Sequence, residues 1–165
     1  MLALVIAGPR KSGKTTVLSL VAEELERQGK KVAVVKYSKH PLEQENIDAF
    51  WLRRSGRTVI NAAPGETVVF WPEVLSFERI VAQLDVDVLL LEGGDAPVTV
   101  PRVLCLPEDP DEAQAFLTEN ASYTVVASVG GSVAAIGAPH FSEADPAMAE
   151  NIAALLLVCT WAGLN

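Results

Sequence analysis

Apolar residues follow two rhythms along this chain. Continuous runs predict strands covered on both faces at residues 2–7 (LALVIA), 32–37 (VAVVKY) and 86–91 (VDVLLL), with weaker ones at 102–106 and 123–129. Between the first two, Val17, Leu20, Val21 and Leu25 recur at helical spacing, Glu23, Glu24 and Glu26 take the wet side, and Gly29 offers a stop, so a helix is expected over 16–28. Strand, helix and strand within the first 37 residues make a βαβ unit. Residues 38–46 read as a polar surface loop, followed by a short helix over 47–55 that ends at Gly56. Residues 58–62 and 67–71 flank Pro64-Gly65 as a hairpin or two successive strands, and a helix is expected over 72–84. A short acidic helix over 111–117 and a last helix from Asp145-Pro146, an N-cap followed by proline, to about Trp161 complete the pattern. Strands alternating with helices define a three-layer α/β domain with a mostly parallel central sheet.

At 165 residues the chain has room for one domain of ordinary size, spanning 1–165. Its longest apolar stretches, the first seven residues and 152–164, fall short of the roughly 18 needed to cross a bilayer. Arg10, Lys11 and Lys14 follow the N-terminal apolar run instead of preceding it, the wrong order for a signal peptide. The expectation is a cytoplasmic protein with no membrane partner. A net charge of −8 argues against a general affinity for nucleic-acid backbones. That charge is unevenly spread, however. All 13 Lys and Arg lie at or before Arg102, and residues 1–57 hold 11 bases against 6 acids. Cations gathered in the first third suit a local anionic ligand. Cys105 and Cys159, 54 positions apart with only two histidines in the chain, are read as buried free thiols, since they make no zinc-type cluster.

The chemistry is carried by residues 8–15, GPRKSGKT, which match G-x-x-x-x-G-K-[ST] between a predicted strand and a predicted helix. This is the context of a phosphate loop, and it makes the domain a P-loop NTPase. Gly8, Arg10, Lys11, Ser12, Gly13, Lys14, Thr15 and Thr16 are the candidate nucleotide-binding residues. Backbone N–H groups around Lys11 to Lys14 and the helix N-terminus favour an anion there. Lys14 is placed to reach the β- and γ-phosphates, Thr15 Oγ to ligate Mg²⁺, and Gly13 to let the phosphate approach the backbone. Glu92, at the carboxyl end of a buried strand, is the acidic candidate beside the metal, through a metal-bound water or as a base. Asp85 and Asp87 sit at that strand's entry end and read as structural. Lys36 ends the second strand and faces the same crevice, so it joins the ligand contacts. Lys39, His40 and Asp48 follow it, and Arg53, Arg54 and Arg57 read as a solvated face.

GPRKSGKTT, VAVVKYSKH, IDAFWLRRSG and VDVLLLEGG, in this order and at these spacings, resemble the molybdopterin-guanine dinucleotide biosynthesis protein B (MobB) family over residues 1 to about 106. The resemblance implies a GTP-binding dimer with weak Mg²⁺-dependent GTPase activity that assists the transferase attaching GMP to molybdopterin. It carries over Lys14, Thr15 and Thr16 from the phosphate loop, Asp48 from an Asp-containing helix and Glu92 from a strand-end Glu-Gly, so Lys14, Glu92 and Asp48 are the catalytic candidates, and Thr15, Asp48 and Glu92 the metal candidates. Tyr37 replaces a family histidine, only His40 remains of a histidine group, Arg57 stands where a small residue is expected, and Gly94-Asp95 replaces an aromatic and basic pair. No Asn-Lys-x-Asp string for guanine is present; residues 127–130, ASVG, occupy the place where one is expected.

Three rivals differ in what they require. An ATP-dependent small-molecule kinase would use Lys36, Asp48 and Arg53 or Arg54 on its acceptor, but no Lys or Arg after Arg102 is left to build a lid. A metal-delivery GTPase would want clustered Cys and His. A non-catalytic nucleotide-binding interaction module would differ from the first reading only in turnover.

Overall fold

The computed structural model describes residues 1–38, 56–93, 96–135 and 137–158. The chain divides into two compact units, 1–37 with 84–165, and 38–83.

The larger unit holds a six-stranded sheet made of β1 (Leu2–Ala7), β2 (Val32–Lys36), β5 (Val88–Glu92), β6 (Arg102–Cys105), β7 (Val125–Val129) and β8 (His140–Phe141) in the order β2-β5-β1-β6-β7-β8. Every neighbouring pair is parallel. The expected three-layer P-loop NTPase fold is therefore present, and its central strands explain the continuous apolar runs. On one face Leu4, Ile6, Leu90, Val103, Cys105 and Val129 pack with Val17, Val21 and Leu25 of α1 (Lys14–Arg27) and with Met148, Ile152 and Leu156 of α4 (Met148–Val158). The alternate residues Val5, Leu89, Leu91 and Leu104 are fully buried as well. With both faces covered, polar residues have no place in β1 or β5 before Glu92.

Several boundaries move from the sequence expectation for identifiable reasons. The buried stripe of α1 is Val17, Leu18, Val21 and Leu25, while Leu20 is 38% exposed. At about 100° per residue, Leu18 falls beside Val21 and Leu25, whereas Leu20 falls on the flank. The strand expected over 86–91 begins at Val88, because Asp87 turns its carboxylate to the Lys31 amide at 2.8 Å. Lys31 also pairs with Asp85 at 3.5 Å, an exposed contact of little weight, so it is Asp87 that ties this strand entry to the Lys31 backbone. The last helix starts two residues after its expected first position, Pro146: Asp145 Oδ1 accepts from Ala147 N at 2.9 Å, and the regular helix opens at Met148. In α3 (Pro110–Glu119) the cap is Asp109, with proline in the first turn. No helix among the described residues is long and apolar enough to cross a membrane.

The smaller unit contains the antiparallel hairpin β3 (Val59–Ala63) and β4 (Glu66–Phe70). Pro64 presets the first turn position and Gly65, at φ 90°, takes the second, which needs a positive φ. Of the helix expected over 72–84 only α2 (Phe77–Val81) forms. Ser76 sets its start by accepting from Arg79 N, and Glu73 pairs with Arg79 from outside the helix. The helix expected over 47–55 lies outside the described residues, as do Lys39, His40, Asp48, Arg53, Arg54, Asp95 and Cys159.

Candidate functional site

Parallel pairing puts the carboxyl ends of β1, β5 and β2 side by side, and the candidate residues gather there. β1 runs into the loop of residues 8–13, and α1 begins at Lys14. Gly8 is required by space: a Cβ would collide with the Ser12 hydroxyl and come 2.5 Å from the Cys105 carbonyl. The Pro9 carbonyl gathers the loop about itself, accepting from Ser12 N at 3.4 Å, from Ser12 Oγ at 2.9 Å and from the Lys14 ammonium. Ser12 is buried, whereas Arg10 and Lys11 are exposed. Lys11 has a φ of 66° and Gly13, the N-cap of α1, a φ of 77°. Left-handed backbone at these two positions turns the loop over the start of the helix. Since Gly13 offers no capping side chain and the first turn has no acidic residue, the first amides of α1 and its positive dipole end are available to an anion. Lys14 and Thr15 follow in the first turn of α1, with Thr16 exposed beside them.

The second half of the site is a three-residue network. Register pairs Ile6 with Glu92 and Lys36 with Glu92. Thr15 Oγ1 donates to Glu92 Oε2 at 2.8 Å. Lys36 Nζ lies 3.1 Å from each Glu92 oxygen and 3.3 Å from Thr15 Oγ1. The Glu92 side chain is 12% exposed and that of Lys36 is 53% exposed, so a largely buried carboxylate receives a cation that reaches in from solvent.

Thr15 and Glu92 thus offer a hydroxyl and a carboxylate to one point that already draws positive charge. This donor set suits Mg²⁺, a hard cation that keeps several waters and takes one or two protein oxygens together with substrate phosphates. Among the described residues no three His, Cys, Asp or Glu side chains gather for a protein-only metal centre.

Behind the loop, burial pushes the Cys105 thiol up to about 12; the Lys14 charge opposes the shift, while Glu143 and Glu92 add to it. At neutral pH this thiol is protonated and is neither nucleophile nor metal ligand.

On the other side of the loop lies a cavity of about 520 Å³, lined by Glu108, Gly130, Gly131, Ser132, His140 and Glu143 among others. Of these positions sequence reasoning reached only Gly130, as part of ASVG. The available signal was the pair Gly130-Gly131 directly after the apolar strand β7, which repeats the placement of Gly93-Gly94 after β5.

A parallel sheet with a GxxxxGKT loop between its central strand and the next helix, and an acid ending the adjacent strand, defines a P-loop NTPase. The chain belongs to the MobB family: the family model for molybdopterin guanine dinucleotide synthesis protein B matches residues 3–129. Among solved structures, Bacillus subtilis MobB aligns at a TM-score of 0.75 with 21% identity, covering 94% of this chain and 98% of that one. A MobB protein homologue from Bacillus stearothermophilus aligns at 0.67 with 18% identity, covering 94% and 98%. A molybdopterin-guanine biosynthesis protein B aligns at 0.64 with 24% identity, covering 94% and 97%. At these identities the structures establish a shared fold. No curated protein matches the sequence.

Proposed function

We propose that the chain binds Mg-GTP as an accessory protein in molybdenum-cofactor biosynthesis, hydrolyses it slowly, and works in the cytoplasm as a homodimer beside the molybdopterin guanylyltransferase. Membership of the MobB family supports the pathway. The observation that carries nucleotide binding is the phosphate loop with its uncapped helix start, joined through Thr15 to Glu92 and Lys36.

The loop amides and Lys14 hold the β- and γ-phosphates, and Lys36 adds a second positive side chain at the strand ends. Thr15 and Glu92, with Asp48 as a further candidate, would hold Mg²⁺, which neutralises charge on the phosphate oxygens. In hydrolysis a water oxygen bonds to the γ-phosphorus as the bond to the β–γ bridging oxygen breaks, leaving GDP and phosphate. Glu92 or Asp48 orients that water, and positioning with charge neutralisation supplies the catalysis. Arg10 is the loop's own arginine. Without one directed at the transition state, turnover stays slow.

Calorimetric titration with GTP and with ATP, each with Mg²⁺, tests this reading, with selective binding of GTP as the expected result. Lys14→Ala removes a charge-assisted contact of about 1.5–3 kcal/mol, so affinity should fall roughly 10- to 150-fold while the circular dichroism stays unchanged. Unaltered affinity would refute the site. In Glu92→Gln, GTP binding should survive and Mg²⁺-dependent phosphate release should fall. Equal release would remove Glu92 from the chemistry. A preference for ATP would turn the assignment towards the kinase.

A further inference from the structure

The phosphate loop is left-handed at two positions, and the sequence fills them differently. Gly13, at φ 77°, is a fixed letter of G-x-x-x-x-G-K-[ST], whereas Lys11, at φ 66°, stands where the motif leaves the residue open. Among the described residues eight glycines have a positive φ, and Lys11 is the one other residue that does. Its neighbours impose the conformation. Ser12 N donates to the Pro9 carbonyl at 3.4 Å, closing a four-residue turn with Lys11 at its third position, and the buried Ser12 hydroxyl holds the same carbonyl at 2.9 Å. A positive φ at that position of a turn favours glycine. For any residue with a Cβ it brings that carbon against the following carbonyl oxygen. Everything the loop requires of residue 11 as backbone, a glycine would give without the strain.

The lysine side chain does not repay the strain within the fold. It is exposed, and among the described residues nothing bonds to its ammonium. The other cations of the site have protein partners, Lys14 in the Pro9 carbonyl and Lys36 in Glu92. Strained backbone that packing and pairing leave unexplained points to function, and the position of Lys11 supplies one. It lies three residues before Lys14, where α1 opens without a capping side chain or an acid in its first turn. An anion held there is within range of an ammonium on a flexible four-carbon stem.

We propose that the Lys11 ammonium binds the phosphate chain of the bound nucleotide from the exposed rim of the loop, strengthening binding whatever the base, at a cost in fold stability. The inference rests on the reading that the phosphate loop holds a nucleoside triphosphate, and its test separates the two. The full chain, as wild type, Lys11→Gln, Lys11→Gly and Lys30→Gln, is titrated calorimetrically with GTP and with pyrophosphate, each with Mg²⁺. The thermal midpoint of each protein is measured without ligand. Lys11→Gln removes the charge and keeps a side chain on the left-handed backbone, so both ligands should weaken by roughly tenfold while the midpoint stays. Lys11→Gly removes charge and strain together, so the same loss of affinity should accompany a midpoint raised by about 2 °C. Lys30→Gln removes a charge beyond the far end of α1, roughly 20 Å away, and should bind both ligands as wild type does. Wild-type affinity in Lys11→Gln, an equal loss in Lys30→Gln, or a loss for GTP without one for pyrophosphate overturns the Lys11 contact and leaves the phosphate loop standing. A lowered midpoint in Lys11→Gly overturns the cost to the fold. If wild type binds neither GTP nor pyrophosphate, the phosphate-loop reading falls as well.

Discussion

Lys36 reaches the same two groups that a metal ion would use. Its ammonium is 3.1 Å from both oxygens of Glu92 and 3.3 Å from Thr15 Oγ1, and two cations cannot share that point. A divalent ion entering alone must displace the lysine from its carboxylate; one that arrives with phosphates brings the lysine a new anionic partner. Metal binding should therefore be weak until nucleotide is present. Lys36→Met keeps the apolar stem and removes the charge. In the absence of nucleotide, Mn²⁺ affinity followed by electron paramagnetic resonance should rise roughly tenfold or more, as expected for a like charge removed at contact distance. Equal affinity in both proteins would mean that Lys36 does not compete for the site. The convergence of these three residues is legible in the sequence because parallel strands bring all carboxyl ends to one edge, so a residue ending β2 and one ending β5 must meet. Glu143 is not legible in that way. It lies just past β8, a strand of only two residues, His140–Phe141, and its neighbours in the cavity come from loops as far away as Glu108, with no fixed spacing to betray them.

Elements differ in how strongly their own residues specify them. β1 and β5 are plain in the sequence because burial on both faces leaves only apolar choices, and the β3–β4 hairpin is plain because Pro64-Gly65 sets its turn. β8 has two residues, too few for any period, and it exists because Ser128 and Val129 offer partners to His140 and Phe141. The expected helix over 72–84 shortens to α2 because Ser76 caps inside it. Helix α3 shows the opposite case, in which local chemistry dominates. It buries only Ala113, and its start is fixed by Asp109 Oδ1, which accepts from Asp111 N at 3.0 Å and Glu112 N at 2.9 Å, with Pro110 next in sequence. Asp109→Ala should therefore cost about 1 kcal/mol and lower the thermal midpoint by roughly 2–4 °C, with nucleotide affinity unchanged. A midpoint equal to wild type would show that tertiary packing holds this helix without its cap.

The whole molecule carries a net charge of −8, and the last 63 residues, which hold 8 acids and no Lys or Arg, account for all of it. The neutral part contains the phosphate loop, Lys36 and Glu92, so the nucleotide end is spared the excess of negative charge. The acidic part contains Glu108 and Glu143, and the Glu143 carboxylate borders Gly13 of the phosphate loop. This division bears on the proposed homodimer. Two copies of one chain bring like charges together, and their long-range repulsion weakens as salt is added, the screening length falling from about 30 Å at 0.01 M to about 8 Å at 0.15 M. Sedimentation at micromolar concentration should thus show a species of twice the 17.6 kDa chain mass, with the dimer fraction rising between those two ionic strengths. A 17.6 kDa species at both would refute the dimer. A dimer that dissociates as salt rises would mean that opposite charges hold the interface, which would then have to draw on the 13 Lys and Arg at or before Arg102. Those are the same cations that the nucleotide site needs, and GTP binding and dimerisation would then compete.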